Sequence, residues 1–291
     1  GAATSLKYTT PQKAKDMNTL ADDLEQQRSA PERFAEPRSV QELTSCQSSW
    51  FSTLRQHILN WQPVVPKTGA KIPRAKLLVL TGPPGSGKSC VVERLVPHID
   101  SSRITLHTVA PGDVDEAARN TAQILSDLAS TLGRTLAAEA QVDGNKNLHV
   151  VFVDDLETAL ERSEKPALAA FDRLAALAVR NPRRLALVAA CNDWFTRDSR
   201  LVLALRTGSK AASSFECEQL KVPPIPQQQI ANRLAFLFAD YKKPAEHLQM
   251  VASTVNGDIR QAVLRMLLDK PADVRHINLT RIGAVASQQQ L

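Results

Sequence analysis

Apolar and polar positions follow two regimes along this chain. In the first, short apolar runs alternate with amphipathic stretches. LLVLTG (77–82), ITLHTV (104–109), VVFVDD (150–155) and LALVAACN (185–192) each read as a buried strand. Between them lie helical patterns: GKSCVVERLVPHI (87–99), Val114–Leu136 and Ala159–Val179. Fully apolar strands alternating with helices predict a parallel sheet covered by helices on both faces, an α/β architecture. The second regime starts near Pro226, where QQQIANRLAFLFADY, AEHLQMVASTV and GDIRQAVLRMLLDK give three helical periods with no strand between them. They predict a small all-helical unit.

Upstream, residues 1–30 are polar and lack sustained apolar periodicity, which predicts a flexible arm with one short helix around Asn18–Gln27. Order is expected from PERFAEPRSVQEL onward. There Ser39 and Glu42 have capping-box spacing, ahead of an apolar stripe of Leu43, Trp50, Leu54, Ile58 and Trp61. QPVVPKTGAKIPRAK (62–76) reads as a surface loop. The organisation expected is an arm over 1–32, a core over 33–225, and a helical unit with a tail over 226–291.

Composition narrows the class. A hydrophobic fraction of 43% with 23% charged residues supplies an ample globular core. No apolar run approaches the 18 residues of a membrane span, and residues 1–27 lack the apolar stretch of a secretion signal. Cys46, Cys90, Cys191 and Cys217 are widely separated, form no CxxC pair and suggest reduced thiols and no zinc site. The net charge is +6, concentrated between Val179 and Lys210. In that window Arg180, Arg183, Arg184, Arg197, Arg200, Arg206 and Lys210 outnumber Asp193 and Asp198, leaving +5. Such a stripe fits DNA or another polyanion, and it fits a solvated surface or an acidic protein contact equally well.

The chemistry lies at the strand ends. GPPGSGKS, comprising Gly82, Pro83, Pro84, Gly85, Ser86, Gly87, Lys88 and Ser89, matches the phosphate-loop pattern between a strand and a helix, with Cys90 directly after it. Gly85 and Gly87 let backbone N–H groups turn toward phosphate oxygens, Lys88 reaches the terminal phosphates, and Ser89 offers a hydroxyl to Mg²⁺. Asp154, delivered by VVFV, is expected to hold the Mg²⁺ through water, and Asp155 to act as base or water-positioner. Glu157 reads as solvent-facing charge at a helix start. Asn192, ending the last apolar strand, can report on a third phosphate, and Arg260, after the Asn256-Gly257 turn and the capping Asp258, can fold over the phosphates. His149 reads as a surface histidine at a strand start; Trp194 and Phe195 read as packing residues.

These four motifs, in this order, resemble the AAA+ family over about residues 33–270, most closely its clamp-loader branch: the large subunit of replication factor C and its checkpoint counterpart. RFAEPRSVQEL is similar to the family's segment beside the adenine, which implies base contacts at Pro37, Arg38 and Val40. LRQHILNWQ, TGPPGSGKS, CND, CEQLKVPPIPQQQI and GDIRQAV resemble further parts of that family. The resemblance implies a P-loop AAA+ core with a helical lid, ATP and Mg²⁺ as ligands, neighbouring AAA+ subunits, a ring-shaped sliding clamp and DNA as partners, and a nuclear location. A C-terminal collar domain is expected beyond the lid of a loader subunit.

Two departures bear on activity. Working loaders read Asp-Glu-x-Asp where this chain has Asp154-Asp155-Leu156-Glu157, and ASSFEC (212–217) stands where a Ser-Arg-Cys arginine-finger box would be. Asp155 is one methylene shorter than Glu, about 1.5 Å of reach, and misplacement of about 1 Å can cost on the order of a hundredfold in rate. Slow, partner-dependent hydrolysis is therefore expected. Two alternatives remain: an origin-recognition or initiation-type AAA+ protein, with a winged-helix domain beyond the lid, and a nucleotide-binding scaffold with little turnover.

Overall fold

The computed structural model describes residues 37, 39–65, 73–100, 103–110, 117–142, 147–192, 215–238 and 244–268. The N-terminal arm, Arg38, Asp193, Trp194, Phe195, Arg197, Asp198, Arg200, Arg206, Lys210 and the tail after 268 lie outside these residues.

Five strands, β1 (Ala75–Thr81), β2 (Ile104–Val109), β3 (Leu148–Val153), β4 (Leu185–Cys191) and β5 (Phe215–Lys221), form one sheet in the order β2-β3-β4-β1-β5. Every neighbouring pair is parallel. β3 and β4 are buried along their whole length, so their side chains are apolar on both faces except His149 of β3, which is buried with polar partners. β2 and β5, at the two edges, keep exposed positions. β5 is not among the strands that the apolar runs predict, because FECEQLK mixes acids with apolar residues as an edge strand can and a central strand cannot.

The register explains where chemistry collects. Thr81 pairs with Cys191, and Val153 with Ala189, so β1, β3 and β4 end at the same edge. The phosphate loop, the Asp154–Asp155 pair and Asn192 all follow directly from that edge.

Helices α1 (Ser45–Leu59), α2 (Lys88–Leu95), α3 (Ala117–Glu139) and α4 (Leu156–Arg180) flank the sheet. The core joins Leu54, Ile58 and Trp61 to the strand residues and to Leu125, Leu132, Leu136 and Phe171. Helix α4 starts at Leu156, three residues before the expected Ala159, and α3 runs three residues past the expected Leu136, to Glu139. A second apolar cluster, including Ile230, Leu234, Val251, Val255, Ile259, Val263 and Met266, belongs to α5 (Gln227–Leu237), α6 (Ala245–Ser253), α7 (Ile259–Leu268) and their connections. These helices form the lid. No helix among the described residues is long and apolar enough to cross a membrane.

Three sequence readings are corrected here. Ser39 precedes only a 3₁₀ turn, Val40–Glu42, and makes no side-chain cap bond. The capping box belongs to Thr44 and Gln47: Gln47 N–H donates to Thr44 Oγ1 at 3.2 Å, and Thr44 N–H donates to Gln47 Oε1 at 3.1 Å. Glu42 instead accepts from Arg233 of α5 at 3.1 Å, which joins the N-terminal segment to the lid.

His149 is buried at 4% exposure and is not a surface residue. Its ring stacks on His107 with a centroid separation of 5.3 Å, and His107 Nε2 lies 3.0 Å from His149 Nδ1. On its other side His149 Nε2 lies 3.2 Å from Glu139, which also takes hydrogen bonds from Asn147 and Arg184. The partners come from β2, α3 and the residues before β3 and β4, so a strand-local reading could not reveal them.

The basic window is divided by β4. Arg180, Arg183 and Arg184 precede that strand, at the sheet edge opposite Asn192, about 20 Å away for seven residues of strand. Arg184 is committed to Glu139 and Leu136 O. Arg180 and Arg183 are exposed.

Candidate functional site

A cleft of about 310 Å³ opens at the C-terminal edge of the sheet. Pro84, Gly85, Gly87, Lys88, Ser89 and Cys90 line it from the loop and α2. Asp154, Asp155 and Glu157 line it from the β3–α4 junction, Cys191 and Asn192 from β4, and Ile259 and Arg260 from the lid. A site at the carboxyl ends of parallel strands is where open α/β sheets place ligands.

The loop is built by its glycines. Gly85 has φ 71° and Gly87 φ 90°, in the left-handed region that disfavours side chains. Gly82 is required for another reason: a β-carbon there would stand 2.0 Å from Val222 O, since the loop leaves β1 tightly against the chain after β5. Ser86 Oγ donates to Pro83 O at 2.8 Å, closing the turn from within. Lys88, only 9% exposed, donates to Gly82 O at 2.6 Å and Pro83 O at 2.9 Å. Its charge is thereby held inside the loop curve at the N-terminus of α2, where the helix dipole also favours anions.

The acid side of the cleft is arranged around Asp154. Ser89 Oγ donates to Asp154 Oδ1 at 2.7 Å, and Asp155 N–H donates to the same oxygen at 3.0 Å. Burial pushes the Asp154 carboxyl up from its ordinary range, against the lowering effect of those two hydrogen bonds. A desolvated carboxylate beside a hydroxyl fits Mg²⁺, which commonly takes one or two protein oxygens and completes its shell with phosphate and water. Ser89 and Asp154 are the residues that would hold it.

Asp155 has φ 48°, one of three non-glycine residues with positive φ among the described residues. Its Oδ2 accepts from Thr158 Oγ1 at 2.7 Å, drawing the carboxylate toward the start of α4. Glu157 is not the solvent-facing charge that the sequence suggested. It is 7% exposed, lines the cleft, and its Oε1 accepts from Asn192 N–H at 2.8 Å. Burial pushes its carboxyl up, opposed by backbone hydrogen bonds from its own N–H and from Asn192. Its Asn192 contact crosses 35 residues and β4, a relation that no local pattern encodes. The available signal was its position opening α4, on the turn that also bears Asp154.

The lid and the N-terminal helix close on the loop. A β-carbon on Gly85 would lie 1.9 Å from Asp258 Cγ, and one on Gly87 would lie 2.5 Å from Gln47 Nε2. Cys46 N–H donates to Gln229 Oε1 at 3.1 Å, a further tie between α1 and α5. Among residues expected at the base, Pro37 is buried and Val40 is 49% exposed, and neither lines the cleft. Gly82, Pro83 and Ser86 support the loop from behind and do not line it.

The sequence profile of the AAA ATPase domain matches residues 68–240. No curated protein matches the sequence at a significant level. Among solved structures, the chain is similar to the Drosophila origin recognition complex bound to DNA, with a TM-score of 0.54, 16% identity, and coverage of 98% of this chain and 66% of that one. It is also similar to the Aeropyrum pernix ORC1 protein in complex with DNA, with a TM-score of 0.51, 16% identity, and coverage of 88% and 69%. The chain thus spans about two thirds of the length of each.

Proposed function

We propose that this chain, which belongs to the AAA ATPase domain family, is an ATP-controlled subunit of a DNA-associated AAA+ assembly. The observation that carries the reading is the shared cleft. Lys88 of the phosphate loop and Arg260 of the lid face one space, so a triphosphate bridging them would couple lid position to nucleotide. A ligand shifts such an equilibrium only by its difference in affinity for the two states, and a lid arginine that meets phosphate in one state supplies that difference. Gly85, Gly87, Lys88, Ser89 and Cys90 would bind the phosphates, and Ser89 with Asp154 the Mg²⁺. The metal would neutralise phosphate charge, and the residues would orient the nucleotide.

Within the family, the origin-recognition or initiation type is supported by the fold similarity to two DNA-bound origin proteins. The clamp-loader type, acting in replication or the DNA-damage checkpoint beside a ring-shaped clamp, is supported by the style of the sequence motifs. Both readings imply a hetero-oligomer and a nuclear location. Exposed Arg180 and Arg183 are the described part of the basic window that DNA would use. A scaffold with little turnover is supported by Asp155, whose carboxylate is engaged by Thr158.

Nucleotide titration and ATP turnover, with and without duplex DNA, test the proposal. ATP should bind to the wild type and not to Lys88→Ala, and DNA affinity should fall steeply with salt. Stimulation of turnover by a purified sliding clamp would favour the loader type; stimulation by DNA alone would favour the initiation type. ATP binding that Lys88→Ala leaves intact would remove the whole reading.

A further inference from the structure

We infer that Glu157, and not Asp155, is the carboxylate that holds and deprotonates the water attacking a bound nucleotide. The inference rests on the proposed ATP site and concerns which of this chain's residues would turn the nucleotide over.

Asp155 is poorly disposed for that role. Its left-handed backbone (φ 48°, ψ 57°) makes it the residue that opens α4, and its Oδ2 is engaged by Thr158 at 2.7 Å. Glu157 is disposed for it. One oxygen, Oε1, is fixed by the Asn192 N–H at 2.8 Å, which orients the carboxylate against the end of β4. The other, Oε2, is buried and has no hydrogen-bond partner among the described residues. A buried carboxylate oxygen without a partner costs about 1–3 kcal/mol, so native proteins seldom retain one without a use. Here the residue that carries it lines the same cleft as Lys88, Ser89, Asp154 and Arg260. Burial raises the proton affinity of this carboxylate, the direction that favours a general base.

The step balances without a further reagent. A lone pair on the water oxygen forms a bond to the terminal phosphorus as the bond from phosphorus to the bridging oxygen breaks. That bonding pair leaves on ADP. The proton of the water passes to the Glu157 carboxylate and is later lost to solvent. Asn192, which lines the same cleft, is held through its backbone N–H by the same carboxylate, so Glu157 also positions Asn192.

The test compares Glu157→Gln with Asp155→Asn. The amide oxygen introduced by Glu157→Gln can still accept the Asn192 N–H, but the amide cannot take a proton. The Asp155→Asn side chain tolerates the left-handed backbone and can still accept from Thr158. For each, ATP affinity is measured with a fluorescent analogue, kcat and KM under single-site conditions, and the melting midpoint by calorimetry. Glu157→Gln should lower kcat on the order of a hundredfold while KM and ATP affinity change only a few-fold. Its loss in kcat should exceed that of Asp155→Asn by at least about tenfold. A Glu157→Gln protein with wild-type turnover, a larger loss from Asp155→Asn, or a wild type that binds ATP and never hydrolyses it each overturns the inference. Failure of the wild type to bind ATP instead identifies the underlying nucleotide reading as the fault. A Glu157→Gln protein that melts early and loses ATP affinity along with kcat overturns it too, by showing a purely structural tie between α4 and β4.

Discussion

The Asp258 carboxylate of the lid rests on Gly85 of the phosphate loop: a β-carbon at position 85 would fall 1.9 Å from Asp258 Cγ and 2.1 Å from Oδ1. The same Asp258 Oδ1 accepts from Gln261 N–H at 3.0 Å, capping α7 and thereby fixing where Arg260 leaves the helix. A glycine in the loop and an aspartate in the lid therefore set the closed spacing of the cleft together.

Gly85→Ala should weaken ATP binding by at least about tenfold, because its φ of 71° costs an alanine roughly 1–2 kcal/mol and its methyl displaces the lid. Adding Asp258→Ala should recover part of the affinity while lowering stability by about 1 kcal/mol through the lost cap. Calorimetric titration of both variants measures this, and full affinity in Gly85→Ala alone would show that the contact is irrelevant to binding.

Arg260→Ala should leave the fold almost untouched, within about 0.5 kcal/mol, because the residue is exposed. ATP affinity should fall about tenfold, the scale of one charge-assisted hydrogen bond. ATP-dependent protection of α7 from hydrogen exchange should disappear in the same variant.

The histidine pair makes stability depend on pH. Burial, followed by the charge of neighbouring His149, holds His107 down at about 4 from its ordinary 6.5. The unfolded chain takes up the proton first, so the stabilisation is complete above pH 6.5 and is lost progressively as pH falls toward 4. Denaturant titrations near neutral pH, midway through that window and at its acid end should show a loss of about 2–3 kcal/mol attributable to this group. In His107→Gln that part of the pH slope should vanish; an unchanged slope would assign the acid sensitivity elsewhere.

Thr44→Ala removes one half of the α1 capping box and should cost about 1 kcal/mol, lowering the melting midpoint by about 2–4 °C. Ser39→Ala, at the position where the sequence placed a cap, should have a smaller effect, since its side chain makes no cap bond. A larger loss at Ser39 would contradict the observed geometry.

The α/β core, the helical lid and the phosphate loop were legible because each is written in contiguous residues. Apolar strand runs, period-3.6 stripes and the spacing of Gly85, Gly87 and Lys88 act through backbone hydrogen bonds and local dihedrals that involve near neighbours. Asp154 was legible for the same reason, as the polar end of an apolar strand. The boundaries of α1 and α4 were less so, since several residues in each first turn can begin a helix and packing selects among them.

The alternation that makes a parallel sheet, the separate helical unit, and the glycine turn after β1 with Asp154 opposite it all follow from contiguous residues. The tertiary structure alone decided which of the acids after β3 faces Asn192, that His149 is buried against His107, and that Glu42 serves Arg233 and caps no helix. Those pairs lie 35, 42 and 191 residues apart. Their energies depend on burial and on partners brought together by the crossovers of the sheet, so the same side chain is a surface charge in the sequence and a buried, oriented group in the fold.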